Sequence, residues 1–178
     1  MKKIMLQAVA FLGIFFGAAA QPLSYFETTI GTGDAGSANY LSMEHKKVYN
    51  LTDARSNKLA IDFALLVSKE YNGHTTAWYN MSGKDSKVPA EVHGTATGIN
   101  AISFDREQFE KCKTTADLQR MTGHITPASF SHYATVSNKA GEVLYPCFIF
   151  QGPDAKRGLI WVDADGENRF IVRVKTMQ

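Results

Sequence analysis

The chain has 178 residues, of which 44% are hydrophobic and 20% are charged, and it carries a formal net charge of +2. This composition is typical of a globular protein and excludes extensive disorder. The small net charge and the lack of a clustered basic stripe exclude nucleic-acid binding, because a polyanion is bound by concentrated positive charge.

The first residues have the pattern of a cleaved secretory signal peptide, predicted over 1–20. Lys2 and Lys3 precede an apolar run that ends at Phe16, and small residues then lead to an Ala18-x-Ala20 cleavage site. The run is shorter than the ~20 residues that span a bilayer. Loss of the two lysines leaves 17 basic and 17 acidic residues, so the mature chain is predicted to be neutral. We therefore expect a secreted, periplasmic or cell-surface protein whose mature chain has no transmembrane span.

Residues 21–38 are predicted to be a flexible N-terminal segment, because 31–39 (GTGDAGSAN) is rich in Gly, Ala and Ser. The same stretch contains Gly31-x-Gly33-x-x-Gly36, the spacing of a dinucleotide-binding loop. That motif requires a buried strand before it and an apolar helix after it, and neither pattern is present. No cofactor is predicted.

A single β-rich domain is predicted over residues 39–178. Alternating apolar residues and turn signals predict the strands, and Asp105 and Thr114 or Thr115 are predicted helix caps. The predicted strands are 40–43, 47–49, 59–67, 75–81, 132–137, 143–150, 158–162 and 169–175, and the predicted helical segments are 52–56, 106–111 and a turn ended by Gly123. Short connections favour hairpins. The fold class is therefore α+β, mainly antiparallel β-sheet as a sandwich or barrel, with two or three short helices.

Cys112 and Cys147 are the two cysteines of the chain. An even count in a secreted protein makes them a candidate disulfide. A second interpretation remains open, in which both are buried free thiols, since free cysteine is among the most buried residue types.

Aromatic residues are the candidate binding residues. Trp78, Tyr79 and Trp161, with Tyr71 nearby in sequence, lie in or beside predicted strands, where flat rings could stack on sugar rings or line a protein interface. The alternative is that these side chains fill the core. Periodicity alone does not separate the two interpretations.

Metal and catalytic signals are weak. Asp163, Asp165, Glu167 and Asn168 surround Gly166 as in a calcium loop, but the twelfth position is a valine, so an ordinary hairpin turn is predicted. The five histidines have no metal-ligand spacing, and no metal site is predicted. No catalytic residue is predicted, because no nucleophile motif occurs.

Two motifs carry a resemblance to a known group of proteins. A K-x-Y-x-L-x-x-A turn occupies residues 47–54, and an I-D-F strand occupies 61–63. With the later strands, these motifs resemble an uncharacterised β-rich domain of secreted and envelope proteins from Bacteroidetes-type bacteria, over roughly 39–178. The chain departs from that pattern at Pro146 and Cys147. The resemblance implies an envelope location and a β-rich domain, and it brings no activity.

Taken together, these observations predict a secreted, non-catalytic cell-envelope protein that binds a glycan or another surface protein. A structural or assembly component of a surface complex is the alternative, since exposed sheet edges can accept a strand from a partner. A hydrolase is the third interpretation, and it would require a cleft with perturbed acidic or histidine side chains.

Overall fold

The computed structural model describes residues 20–32, 37–68 and 75–178. The predicted signal peptide up to residue 19, Tyr71 and two glycines of the Gly-rich motif lie outside the described residues. The described residues form ten strands and three α-helices. The strands are β1 Ser24–Gly31, β2 Tyr40–Ser42, β3 Lys47–Tyr49, β4 Phe63–Ser68, β5 Thr75–Asn80, β6 Gly98–Ala101, β7 Tyr133–Ser137, β8 Cys147–Gln151, β9 Arg157–Ala164 and β10 Arg169–Thr176. The helices are α1 Leu51–Ser56, α2 Arg106–Lys111 and α3 Thr115–Thr122.

The strands form two five-stranded antiparallel sheets. The first sheet has the order β1-β10-β9-β8-β6, and the second has the order β3-β2-β4-β5-β7. The inward side chains of both sheets share one apolar core, which includes Phe63, Trp78, Phe148 and Val172. The fold is therefore an α+β sandwich, as predicted, and it is not a closed barrel.

Each sheet also has a covered outer face. On the first sheet, Cys147, Ile149 and Trp161 pack with residues of α2 and α3. On the second sheet, strand residues pack with α1 and with Val88 and Val92 of the segment between β5 and β6. This layering follows from the strand period of two, because alternate side chains point to opposite faces and both faces here are apolar.

The helix starts agree with the predicted caps. Asp105 accepts a hydrogen bond from the Gln108 backbone N–H, and the Gln108 side chain bonds back to the Asp105 N–H. Thr114 and Asp117 form the same reciprocal arrangement at α3. These capping boxes satisfy donors that a helix leaves unpaired at its first turn.

The N-terminal segment is the main correction to the predicted organisation. Residues 21–38 were expected to be flexible, but Ser24–Gly31 is a full-length edge strand paired with β10. Phe26 and Ile30 alternate with polar residues and are buried in the core between the sheets. The ordered domain therefore begins well before residue 39, because burial of this alternating face offsets the entropy of ordering the segment.

Two predicted strands are shorter than expected. The strand predicted over 59–67 begins at Phe63, and Leu59 lies exposed in the 3-10 turn Lys58–Ala60. The strand predicted over 143–150 begins at Cys147, directly after Pro146, which has no backbone N–H to donate to a ladder. No described helix combines the length and apolar character that crossing a membrane requires.

A partly buried carboxylate joins the second sheet to the segment between β5 and β6. Asp62 accepts hydrogen bonds from the Met43 backbone N–H at 2.8 Å and from the Thr97 hydroxyl at 2.9 Å. Burial raises the pKa of Asp62, and the two hydrogen bonds oppose this shift. The side chain therefore acts as a structural link in the I-D-F segment.

We predict that Asp62→Ala lowers the free energy of unfolding by about 2–4 kcal/mol, because two buried donors lose their acceptor. Asp62→Asn should cost no more than about 1 kcal/mol, since the amide can accept from Met43 and donate to the Thr97 hydroxyl, which can rotate. Urea unfolding of both variants tests this. An alanine variant as stable as the asparagine variant would show that the two hydrogen bonds contribute little.

The ionisation of Asp62 makes the free energy of unfolding depend on pH. Because the folded-state pKa of Asp62 is raised, its ionisation costs stability as pH rises through that pKa, and the cost is fully present above it. The wild type should therefore gain stability relative to Asp62→Asn as pH falls through the folded-state pKa.

Candidate functional site

The aromatic residues predicted to bind a ligand are buried. Trp78 is fully enclosed between the sheets, with its ring edge-on to Phe63. Trp161 packs on Phe109, and its indole N–H donates to Asp163. The binding-surface interpretation is therefore wrong for both tryptophans, because sandwich strands with two covered faces place their rings in packed layers.

Tyr79 is also largely buried, at 4% exposure, on the outer face of the second sheet. Its ring stacks on Tyr133 at a centroid distance of 6.2 Å, and Tyr133 is 47% exposed. The exposed aromatic residue of this pair is thus one that the strand pattern did not single out.

The predicted disulfide is not formed in the structure. Cys112 and Cys147 are free, buried thiols in the apolar layer between the first sheet and α2 and α3. Burial raises the pKa of Cys112 to about 11. Burial, with a further contribution from Cys112, raises the pKa of Cys147 to about 12. These are the properties of packing residues, since the thiolate is the reactive form.

The acidic loop is a hairpin turn, as predicted. The Asp165 backbone N–H donates to the Arg169 carbonyl across it, and Gly166 has a φ of 111°, which favours glycine. Asp163 is engaged by Arg173 and Trp161. Across the described residues, no three His, Cys, Asp or Glu side chains are grouped as a metal site would require.

The candidate site is an open cleft on the outer side of the first sheet, beside the edge strand β6. Its volume is about 450 Å³. One wall is formed by β6 and the chain that leads into α2, and the other by the connection from α3 to β7. The lining residues are Asn100, Ala101, Ile102, Ser103, Phe104, Gln108, His124, Ile125 and Ser129.

The cleft exists because two chain segments pair once and then diverge. Ile99 and Ser131 exchange both main-chain hydrogen bonds, Ile99 donating at 3.0 Å and Ser131 at 2.9 Å. Gly98 permits this close approach, since a Cβ there would lie 2.8 Å from the Cβ of Phe130. The 3-10 turn Pro127–Ser129 then carries the chain away from β6.

Arg157 holds the far wall in position. Its guanidinium donates to the carbonyl oxygens of Thr122 at 2.8 Å and Ile125 at 2.7 Å, and also to the Gln151 side chain at 3.0 Å. It also lies over the ring of Phe130, 5.5 Å from its centroid. The planar fork of arginine suits several acceptors at once, so one side chain fixes the end of α3 against the sheet.

Lys175 has the corresponding role at α2, whose Gln108 lines the cleft. Its ammonium donates to the carbonyl oxygens of Phe109 at 2.6 Å and Glu110 at 3.2 Å. Burial lowers the pKa of Lys175. A cation at the carboxyl end of a helix satisfies carbonyls that have no partner within the helix.

The chemistry of the lining is uncharged. Asn100, Ser103, Gln108, His124 and Ser129 supply hydrogen-bonding groups, and the remaining lining residues are apolar. The Gln108 carbonyl oxygen already accepts from Asp105, and the Ser129 hydroxyl is 3.3 Å from that of Thr126. Such a surface suits a neutral ligand that combines polar and apolar parts.

Sequence patterns did not indicate this cleft. Its residues come from 100–108 and 124–129, and neither stretch contains a recognised ligand-binding or catalytic motif. His124 was noted only as one of five scattered histidines. The pairing of Ile99 with Ser131 brings the two stretches together, and a single bridge leaves no signature in the sequence.

The molecule is thus a two-sheet sandwich with flanking helices and an uncharged edge cleft. No protein-family model matches the chain, and no curated protein matches it either. Its fold is similar to that of a solved structure, a DUF4466 family protein from Parabacteroides merdae, with a TM-score of 0.59 and 16% sequence identity.

That similarity covers 89% of this chain and 53% of the other, so this chain spans about half the length of its structural neighbour. At this identity the likeness establishes the fold alone. The sequence of residues 39–178 resembles an uncharacterised domain of Bacteroidetes-type bacteria, and the structural likeness agrees with that resemblance in fold.

We predict that Arg157→Lys lowers the free energy of unfolding by about 1–3 kcal/mol, because one ammonium cannot serve two carbonyls and the Gln151 amide in the same geometry. The matched control is Arg169→Lys, an exposed arginine of the same sheet, with an expected change of at most about 0.5 kcal/mol. Denaturant unfolding measures both. Equal effects would show that the carbonyl contacts of Arg157 are not specific.

We predict that neither thiol reacts with a water-soluble thiol reagent in the native protein at mildly alkaline pH, because burial keeps both protonated. After unfolding without reductant, two thiols per chain should react. If thiols become detectable only after reduction, then Cys112 and Cys147 form a disulfide in the isolated protein.

Proposed function

We propose that the protein is a secreted, non-catalytic binding module of the bacterial cell envelope, and that it holds an uncharged ligand in the cleft beside β6. The observation that carries the proposal is the lining itself. Five residues with hydrogen-bonding side chains and four apolar residues line one concave surface.

The charge of the site limits the ligand. No lysine, arginine, aspartate or glutamate lines the cleft, so a phosphate, a carboxylate or a cation would gain little there relative to water. Neutral glycans and uncharged peptide segments both combine polar groups with apolar surface. These are the two ligand classes that the proposal includes.

The same lining favours binding over hydrolysis. General acid–base catalysis commonly uses two positioned groups, as a glycosidase uses two carboxylates. Here His124 is the one histidine of the lining, which contains no carboxylate or lysine. The signal-peptide pattern at residues 1–20 supports the envelope location.

We predict that Asn100→Ala and His124→Ala each weaken ligand binding by about tenfold, since each removes a hydrogen-bonding group from the site. The control is Asn138→Ala, an exposed asparagine outside the cleft, which should leave affinity unchanged. Isothermal titration calorimetry with neutral soluble polysaccharides and uncharged peptides measures this. Intrinsic tryptophan fluorescence is an indirect readout, because both tryptophans are buried and neither lines the cleft.

Two results would contradict the proposal. One is binding of a ligand with unchanged affinity in both cleft variants, which would place the site elsewhere. The other is selective binding of anionic ligands, which the neutral lining does not favour.

A further inference from the structure

We propose that the ligand of this cleft is an extended peptide segment that adds to the free edge of β6 through main-chain hydrogen bonds to Ala101. The inference rests on the proposed function and narrows its ligand to one class.

The direction of the main-chain groups follows from the register. In an antiparallel ladder, successive residues point their N–H and C=O alternately toward one neighbouring strand and the other. Ile102 donates to the Cys147 carbonyl and so faces β8, whereas Ile99 is bonded to Ser131 on the opposite side. Ala101 therefore points its N–H and C=O away from β8, on the side of Ser131.

On that side Ala101 has no main-chain partner among the described residues. Continued antiparallel register from the Ile99–Ser131 pair would place Ser129 opposite Ala101. Ser129 instead belongs to the 3-10 turn and lines the far wall of the cleft. The Ile99–Ser131 bridge thus begins an antiparallel ladder on the free edge of β6. The next residue whose main-chain groups point to that edge, Ala101, has no strand partner there in the described part of the chain, and this position lies at the cleft.

The outer-face side chains define what the ligand side chains would meet. Ile99 and Ala101 contact the core between the sheets, whereas Asn100 and Ile102 lie on the outer side and line the cleft. A peptide residue paired with Ala101 would direct its two neighbours to the outer side, because strand side chains alternate. One neighbour would then lie in the cleft near Phe104 and Ile125, which suits an uncharged or apolar side chain.

These observations favour a peptide over a glycan. Main-chain pairing supplies affinity and the adjoining pocket supplies selectivity in strand addition. Stacking on sugar rings, by contrast, needs an exposed aromatic face at the site, and none of the lining residues is a tryptophan or tyrosine. Phe104, the aromatic residue of the lining, is itself packed against the outer apolar layer.

The central variant is Ala101→Pro, which removes the Ala101 N–H that points away from β8. Proline is tolerated at an edge strand where its nitrogen faces away from the ladder, so the pairing of β6 with β8 should persist. Ala101→Ser is the matched control, because it keeps the N–H and adds little volume. Thermal unfolding of both variants checks that the fold is retained.

The probe is a displayed library of short uncharged peptides, selected on the wild-type protein and then measured as soluble peptides. We expect selected peptides to bind the wild type and Ala101→Ser with similar affinity, and Ala101→Pro at least about tenfold more weakly. A second arm needs no protein variant. N-methylation of single peptide amides in the bound segment should reduce affinity at alternate positions, since alternate amides face β6.

The outcomes separate the inference from the proposed function. Peptides that bind Ala101→Pro as well as the wild type, with no alternating effect of N-methylation, would overturn strand addition. Binding of neutral polysaccharides alone, weakened by Asn100→Ala, would overturn the peptide inference and leave the binding-module function standing. No binding in either panel would overturn both.

Discussion

Two cationic side chains of the first sheet determine where the helices beside the cleft lie. Arg157 donates to the last carbonyl of α3 and to that of Ile125 just beyond it, and Lys175, on the neighbouring strand, donates to carbonyls at the end of α2. Helix ends leave such carbonyls unpaired, and burial without partners would cost about 1–3 kcal/mol each. The sheet supplies those partners, so the helices pack at fixed positions. The cleft is the space between these fixed helix ends and the sheet edge.

Neither Arg157 nor Lys175 lines the cleft. Arg157 donates to two backbone carbonyls and to the Gln151 side chain, and Lys175 donates to two backbone carbonyls. Cationic side chains can therefore hold the walls of this cleft in position although none of its lining residues is Lys, Arg, Asp or Glu. Gln108 also has two roles. Its side-chain carbonyl oxygen accepts from the Asp105 N–H at the start of α2, and the residue lines the cleft. Some polar groups near the cleft already have hydrogen-bond partners within the protein. The polar groups of the lining that have none among the described residues are those that a ligand can use.

Local signals predicted the local structure well. The caps Asp105 and Thr114, the acidic hairpin turn and the C-terminal strands follow from short-range chemistry, and the structure confirms them. Strand β1 was missed because its outward residues are polar and a Gly-rich stretch follows, although Phe26 and Ile30 alternate correctly. The burial of Trp78 and Trp161 was one of two open interpretations, because a strand aromatic residue is exposed or buried according to what covers its face. The cleft depends on a single long-range bridge, which no local pattern encodes.

The outer edge of β6 is only partly covered by the rest of the chain. Free strand edges invite unwanted pairing, and proteins commonly cover or interrupt them. Here Ser131 covers the edge at Ile99, and the 3-10 turn that precedes it withdraws before Ala101. If Ser129 paired with Ala101, the edge of β6 would have no free main-chain groups at this position, and the chain would occupy the cleft. Because one geometric feature leaves both the main-chain groups and the adjoining pocket open, an extended peptide is the ligand that would use them together.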